Sequence, residues 1–350
     1  MSWFVALLVL SVLIFFHELG HYAAARFMGV YVEVFSIGFG RKVASFHWFN
    51  TEWRIAMIPL GGYVKMKGQE DLDPAKTSSD ADSYNSKTPL QRIVILLAGP
   101  AANFLLAFVL YLIIGLGGPQ ALSAVVGDVV KDSPAAMAGL QKNDRILEIN
   151  GVSIASWEAM AQQIKNAAGT IDVKIERGND IMYLQMTPKI TETENMFREK
   201  VQRKMIGIGS AGVTHTLDLG FGETLAYAAD ETYKASLLIF KGVQKLVTGD
   251  IPATELGGVV SIVQITSDAS KVGWMALFFF SALISVNLGI LNLLPIPALD
   301  GGHIMFNLYE MITRRAPSEA VLVNLTIAGW VLLLGLMGLG LYNDINRLMG

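Results

Sequence analysis

No cysteine occurs anywhere in the chain. Disulfide staples and thiolate ligands are therefore excluded, and any metal site must be built from histidine and carboxylate. Charge is scarce as well. Asp, Glu, Lys and Arg make up 16% of the 350 residues, against roughly 25% in soluble globular proteins. With 52% hydrophobic residues and a mean hydropathy of +0.45, the composition excludes an ordinary water-soluble domain. The net charge of −3 is too small and of the wrong sign for nucleic-acid binding.

In place of charge there are four long stretches without Asp, Glu, Lys or Arg, at 1–17, 93–127, 272–299 and 320–343. A spanning helix needs about 20 mostly apolar residues, so these stretches predict transmembrane helices at 3–27, 91–116, 273–294 and 321–341. A cleaved signal peptide, with "YAAAR" as its processing site, is the competing reading of the first. The lack of a basic segment ahead of the apolar run argues against it. The loop between the first two spans carries Arg41, Lys42, Arg54, Lys65, Lys67, Lys76 and Lys87, and the loop between the last two carries Arg314 and Arg315. The excess of basic residues places both loops in the cytoplasm and the long 117–272 segment outside.

The fold class expected is a polytopic α-helical membrane protein of four transmembrane helices. A membrane-associated β-hairpin or sheet and one external α+β domain complete it. Residues 1–116 hold the first two spans. Between them, "KVASFHWF" and "TEWRIAMI" flank a turn at Asn50-Thr51, and "IPLGGYVKM" continues in the same style, which predicts a hairpin over 30–68. Residues 69–88 are polar and acidic and read as a surface loop. Thr88 and Pro89 suit the first turn of the second span, and Gly99-Pro100 predicts a kink within it. Residues 117–190 alternate short strands and turn signals around "SWEAMAQQIKNA", a helical stretch. Residues 191–272 form an external linker whose apolar spacing over 222–247 predicts an amphipathic helix, on the outer membrane surface or against the external domain. The last two spans lie in 273–350.

Chemistry concentrates at "HELGH", residues 17–21. His-Glu-x-x-His on a helix puts both histidines on one face, one turn apart, where they can share a Zn²⁺ while the glutamate serves as general base. The candidates are His17 and His21 as ligands and Glu18 as base. The bland reading is three polar residues stranded at a helix end. Within an apolar run, however, uncompensated ionisable groups cost several kcal/mol, and a divalent ion relieves that cost. A catalytic zinc takes three protein ligands. Asp300 is the first acid after roughly thirty uncharged residues, and Pro295 and Pro297 break the helix just before it. His303 is its rival, and Asp300 as a plain helix cap is the bland alternative. Asn103 lies within the second span, where it either glues helices together or serves a site. His47 and His215 have no partner pattern and read as ordinary surface or structural residues.

"HELGH", "AGPAANF" and "NLLPIPALDGG", in that order, resemble the site-2 protease family of intramembrane zinc metalloproteases. "PLGGYVKMKG" and the segment "SPAAMAGLQKNDRILEING", which resembles a PDZ domain of the circularly permuted bacterial type, place the likeness in the branch that regulates sigma factors. The resemblance implies His17, His21 and Asp300 as zinc ligands and Glu18 as catalytic base. It also implies Asn103 and Asn292 near the substrate and the developing oxyanion, and Gly61, Gly62, Tyr63 and Val64 in a re-entrant hairpin that pairs with substrate. A single PDZ-like domain departs from those members that have more. The implied activity is zinc-dependent cleavage of single-span membrane proteins, anti-sigma factors or remnant signal peptides. The implied site of action is a bacterial inner membrane with the PDZ domain on the periplasmic side, and the partners are those substrates and the bilayer. The alternative is an inactive zinc-binding scaffold that recruits peptides, and the intact Glu18 argues against it. A transporter would need more intramembrane carboxylates.

Overall fold

A computed structural model of the chain describes residues 2–69, 78–195 and 199–349. In chain order its elements begin with α1 (Ser2–Phe27), β1 (Val32–Trp48), β2 (Thr51–Met66) and α2 (Pro89–Leu116). There follow β3 (Gln120–Leu122), β4 (Val126–Val129), α3 (Pro134–Met137), β5 (Arg145–Ile149), β6 (Val152–Ser153) and α4 (Trp157–Asn166). Then come β7 (Ile171–Arg177), β8 (Asp180–Met186), β9 (Lys189–Glu194), β10 (Lys200–Met205), β11 (Ile208–Ser210) and β12 (Thr214–Thr216). The chain closes with α5 (Phe221–Thr248), α6 (Val259–Val272), α7 (Trp274–Asn292), α8 (Asp300–Thr313) and α9 (Glu319–Met349). Two compact units result, Met1–Gly115 with Phe221–Gly350, and Leu116–Gly220.

In the first unit, α1, α2, α7 and α9 are long and apolar enough to cross a membrane. Thr88 and Gln91 cap α2 reciprocally. The Gln91 amide donates to the Thr88 hydroxyl at 3.3 Å and the Thr88 amide to the Gln91 side chain at 3.0 Å, a capping box that satisfies two end donors. Pro100 sits inside α2 without ending it. The helix read over 222–247 is α5. Its Ala228 and Ala235 pack into a cluster with Ala107 and Tyr111 of α2 and Ala282 and Val286 of α7. It thus leans on the spans, and small residues on that face permit the close approach. The segment ahead of the third span holds a separate helix, α6, which packs on α1. Asp344 of α9 fixes its first turn by accepting from the Gly258 amide at 3.0 Å, the Ser261 amide at 3.1 Å and the Ser261 hydroxyl.

The hairpin folds over on itself. Residues 34–37 pair with 62–65 on one side and with 52–55 on the other, while 44–48 pair with the outer side of 51–55. One hairpin thereby makes a sheet of four paired segments with 62–66 at one edge. Among the described residues no further strand pairs with that edge. The turn is one residue earlier than the sequence suggests. Phe49 (φ 49°) and Asn50 (φ 58°) form it, and Trp48 pairs with Thr51. Two positive φ values match the right-handed twist of the strands. Glu52 joins Lys42 at 2.8 Å and Arg54 at 2.7 Å. These hydrogen bonds from cations hold its carboxyl down to about 2. Residues 70–77 of the acidic loop, Lys76 included, lie outside the described residues. Beyond them Lys67 bonds Asp80 and Asp82 at 2.9 and 2.7 Å, which raises the ammonium and lowers Asp80.

The second unit is built on a four-stranded sheet in the order β6-β5-β7-β8. Ile146, Ile149, Ile171, Val173 and Ile175 alternate inward from it and are almost fully buried with Met160 and Ile164 of α4. Ser133 and Ser156 cap α3 and α4 by accepting the amides of Ala136 and Ala159. Arg177 forks onto Asp144 at 2.8 and 2.7 Å, and that carboxylate is fully buried. The unit runs past residue 190 because β11 returns to pair with β4 and β12 with β3. Such distant pairings leave no local signal in the sequence.

Candidate metal centre

Four elements of the first unit converge on the "HELGH" turn of α1. The Nε2 atoms of His17 and His21 stand 3.2 Å apart, and each is 3.3 Å from Oδ2 of Asp300. Ligand atoms held about 2.0–2.1 Å from one tetrahedral ion must lie about 3.3–3.4 Å from each other, so the triangle has the edge that zinc requires. Asp300 Oδ2 is buried and has hydrogen-bond geometry to neither ring, an orphaned oxygen that a cation between the three atoms satisfies. Two nitrogens and one carboxylate oxygen are also donors suited to zinc. The residues present fit the ion. His303 stands outside this cluster, with its ring edge-on to Phe306.

Asp300 reaches the histidines because the chain is turned on purpose. α7 stops at Asn292, Pro295 and Pro297 prevent the helix from continuing, and Leu299 is extended before Asp300 opens α8. The two glycines after Asp300 let that first turn press on the 293–297 loop. A Cβ at Gly301 would stand 2.2 Å from the Leu294 carbonyl oxygen, and one at Gly302 2.3 Å from that of Ile296. Further along α8, Glu310 accepts from Arg92 of α2 at 2.8 Å.

The imidazoles are backed by one stripe of α2. The Ile95 carbonyl accepts from Nδ1 of His21 at 2.9 Å. Gly99 clears the space for that ring, since a Cβ there would lie 2.2 Å from its Nε2. The Asn103 side chain lies 3.1 Å from Nδ1 of His17. Positions 95, 99 and 103 are spaced i, i+4, i+8, the period that meets an i, i+4 pair on a neighbouring helix. That spacing is the signal through which Gly99 and Ile95, absent from the sequence-derived candidates, were accessible.

A cavity of about 170 Å³ opens beside the triangle, lined by Glu18, Gly62, Tyr63, Val64, Asn292 and Asp300 among others. One water needs only roughly 15 Å³, so there is room for a nucleophile and part of a ligand. Glu18 lies against the hairpin edge, where a Cβ on Gly62 would come within 3.1 Å of its Cγ. Two of the expected residues lie off the cavity wall. Asn103, expected near the substrate, is fully buried on His17 and does not line the cavity. Gly61 faces away from the cavity; it has φ 137° and accommodates the Phe39 ring, which a Cβ would meet at 2.0 Å. Of the remaining histidines, His47 is exposed in the hairpin, and His215 meets the Ser123 hydroxyl at 2.9 Å in the second unit.

Residues 5–336 match Peptidase family M50. A Campylobacter jejuni protein named as a zinc metalloprotease is 46% identical, with 98% of this chain and 93% of the relative covered. A Helicobacter pylori protein of the same description is 39% identical over 99% of each chain. One from Agrobacterium fabrum is 34% identical over 98% of this chain and 95% of its own. Among solved structures, the PDZ domain of the SdrC-like protein of Listeria innocua is similar to 27% of this chain and 99% of that domain, at 24% identity and a TM-score of 0.22.

Proposed function

The chain belongs to peptidase family M50 and is a membrane zinc metalloprotease, and from that premise we propose that it cleaves peptide bonds inside the membrane-spanning segments of single-span proteins. His17, His21 and Asp300 hold the zinc in this reading. Bound there, zinc supplies Lewis acidity towards a water and a peptide carbonyl. Glu18 takes the proton from the attacking water and delivers it to the leaving amine. Asn292, on the cavity wall, donates to the oxygen on which negative charge develops.

The observation that carries the reading is the unpaired edge at 62–66 running along the same cavity as Glu18 and the triangle. A helical substrate hides its peptide bonds, and its backbone groups cannot be left bare at membrane depth. A segment that unwinds beside 62–66 exchanges its own hydrogen bonds for bonds to that edge. The neighbouring stretch 55–58 is already paired with β1, which confines the docking edge to 62–66. The basic loops of the first unit orient it with the zinc site towards the cytoplasmic face and the second unit, read as a PDZ-like peptide binder, on the periplasmic side of a bacterial inner membrane. Anti-sigma factors and remnant signal peptides are the substrate classes that the family resemblance implies.

The test is reconstitution of the full chain in nanodiscs with a single-span substrate. Cleavage within the span, abolished by chelator and restored by zinc, is the expected result. Glu18→Gln should keep stoichiometric zinc and lose roughly 10²–10⁴ in rate. Unchanged cleavage by that variant refutes the assignment. Zinc and peptide binding without cleavage by the wild type would identify a scaffold.

A further inference from the structure

His17 and His21 are held by α2 in two different ways, and only one of them uses a side chain. We propose that Asn103 is a positioning residue for the metal centre, its carboxamide oxygen accepting the Nδ1 proton of His17 and thereby leaving Nε2 bare towards the ion. The inference rests on the zinc reading given above. An imidazole that ligates through Nε2 carries its proton on Nδ1, and that N–H needs an acceptor to fix ring and tautomer. For His21 the acceptor is the Ile95 carbonyl at 2.9 Å. For His17 the group at that place is the Asn103 carboxamide, 3.1 Å from Nδ1.

The amide has two ways to face the ring, related by a half-turn that exchanges oxygen and nitrogen. With nitrogen towards His17, Oδ1 is a buried acceptor with no partner, which costs about 1–3 kcal/mol. That orientation also suits only the tautomer whose proton is on Nε2, the atom that must be bare to bind metal. With oxygen towards His17, Oδ1 accepts the Nδ1 proton and Nε2 is left bare. The backbone fixes Asn103 at this level, since its own carbonyl accepts from the Ser285 hydroxyl of α7 at 2.8 Å. Because Asn103 is wholly buried and off the cavity wall, it acts on the ring and leaves the substrate to other groups.

The experiment uses the full chain in nanodiscs and zinc alone as the probe, titrated against a chelator of known affinity, with the absorption spectrum of the cobalt-substituted protein as a second readout. Asn103→Leu keeps the volume and removes the acceptor. Asn103→Asp keeps the acceptor and removes the donor. Asn103→Leu should bind zinc about 10–100-fold more weakly and alter the cobalt spectrum, while Asn103→Asp stays within about threefold of wild type or binds more tightly. At saturating zinc both variants should keep the wild-type KM for a single-span substrate. Wild-type zinc affinity in Asn103→Leu combined with a fallen kcat overturns the inference and returns Asn103 to the reacting carbonyl. If Asn103→Leu does not fold, Asn103→Asp decides alone, and a tenfold or greater loss of zinc affinity in it overturns the inference. A wild-type protein without zinc fails at the earlier step, the zinc reading itself, and is told apart by the same titration.

Discussion

Gly99→Ala reverses the sign that helix propensity assigns to it. In a helix interior alanine is favoured over glycine by about 1 kcal/mol, and at an uncrowded position the exchange stabilises. At Gly99 the added methyl would stand 2.2 Å from Nε2, 2.5 Å from Cε1 and 2.8 Å from Cδ2 of His21. Ordinary contact between such atoms is about 3.5 Å, so the ring must withdraw by roughly 1 Å. It cannot do so freely, because its other nitrogen is tied to Ile95 at 2.9 Å. Metal–ligand distances tolerate about 0.2 Å, so a 1 Å displacement takes His21 out of coordination and leaves two ligands. Overpacking of this kind costs about 1–3 kcal/mol, and a misplacement of 1 Å at a catalytic centre costs about 10² in rate. The assay is zinc content and chelator competition on the purified variant, together with cleavage at saturating zinc. Gly335→Ala in α9, where a Cβ meets nothing within 4 Å, is the control and should be neutral or stabilising by up to about 1 kcal/mol. A Gly99→Ala protein with wild-type zinc affinity and full activity would refute the packing argument.

Two further outcomes follow from groups outside the membrane. Glu52 is ionised down to about 2 in the folded hairpin and has an ordinary value of 4.5. Its contribution to stability is therefore complete above pH 4.5 and disappears as pH falls towards 2; amide exchange in β1 and β2 should accelerate over that window, and Glu52→Gln should remove the dependence. In the second unit, Arg177→Met strands the buried Asp144 carboxylate, which loses the bonds at 2.8 and 2.7 Å. Its melting transition should fall by about 3 kcal/mol, with zinc binding in the first unit unchanged. A melt within 0.5 kcal/mol of wild type, the usual range for surface changes, would mean the pair is not structural.

The parts legible in the sequence were those written in short-range spacing. The uncharged runs located α1, α2, α7 and α9, the i, i+4 histidines located the side of α1 that meets Asp300, and Pro295 and Pro297 announced the turn that brings Asp300 back. The rest depends on distant pairing. Residues 34–37 are flanked by two parts of the same strand, and nothing in a run of β-branched residues says that a hairpin doubles over. The second unit closes through β11 and β12, which find their partners far upstream. Asn103 reads as polar in an apolar helix whichever neighbour it meets, and only the crossing of α1 and α2 decides that the neighbour is His17.

The paired histidines belong to the opening turns of the chain and Asp300 to its last sixth, with the whole of Leu116–Gly220 between them. Ribosomes add roughly 5–20 residues per second, so a nascent chain exists for tens of seconds with two imidazoles and no carboxylate. During that interval the third of the clustered side chains has not yet been made. The cluster, and with it any hydrolysis that depends on it, therefore completes only after Leu116–Gly220 has been synthesised. A product truncated before α8 lacks Asp300 and with it the third member of the cluster.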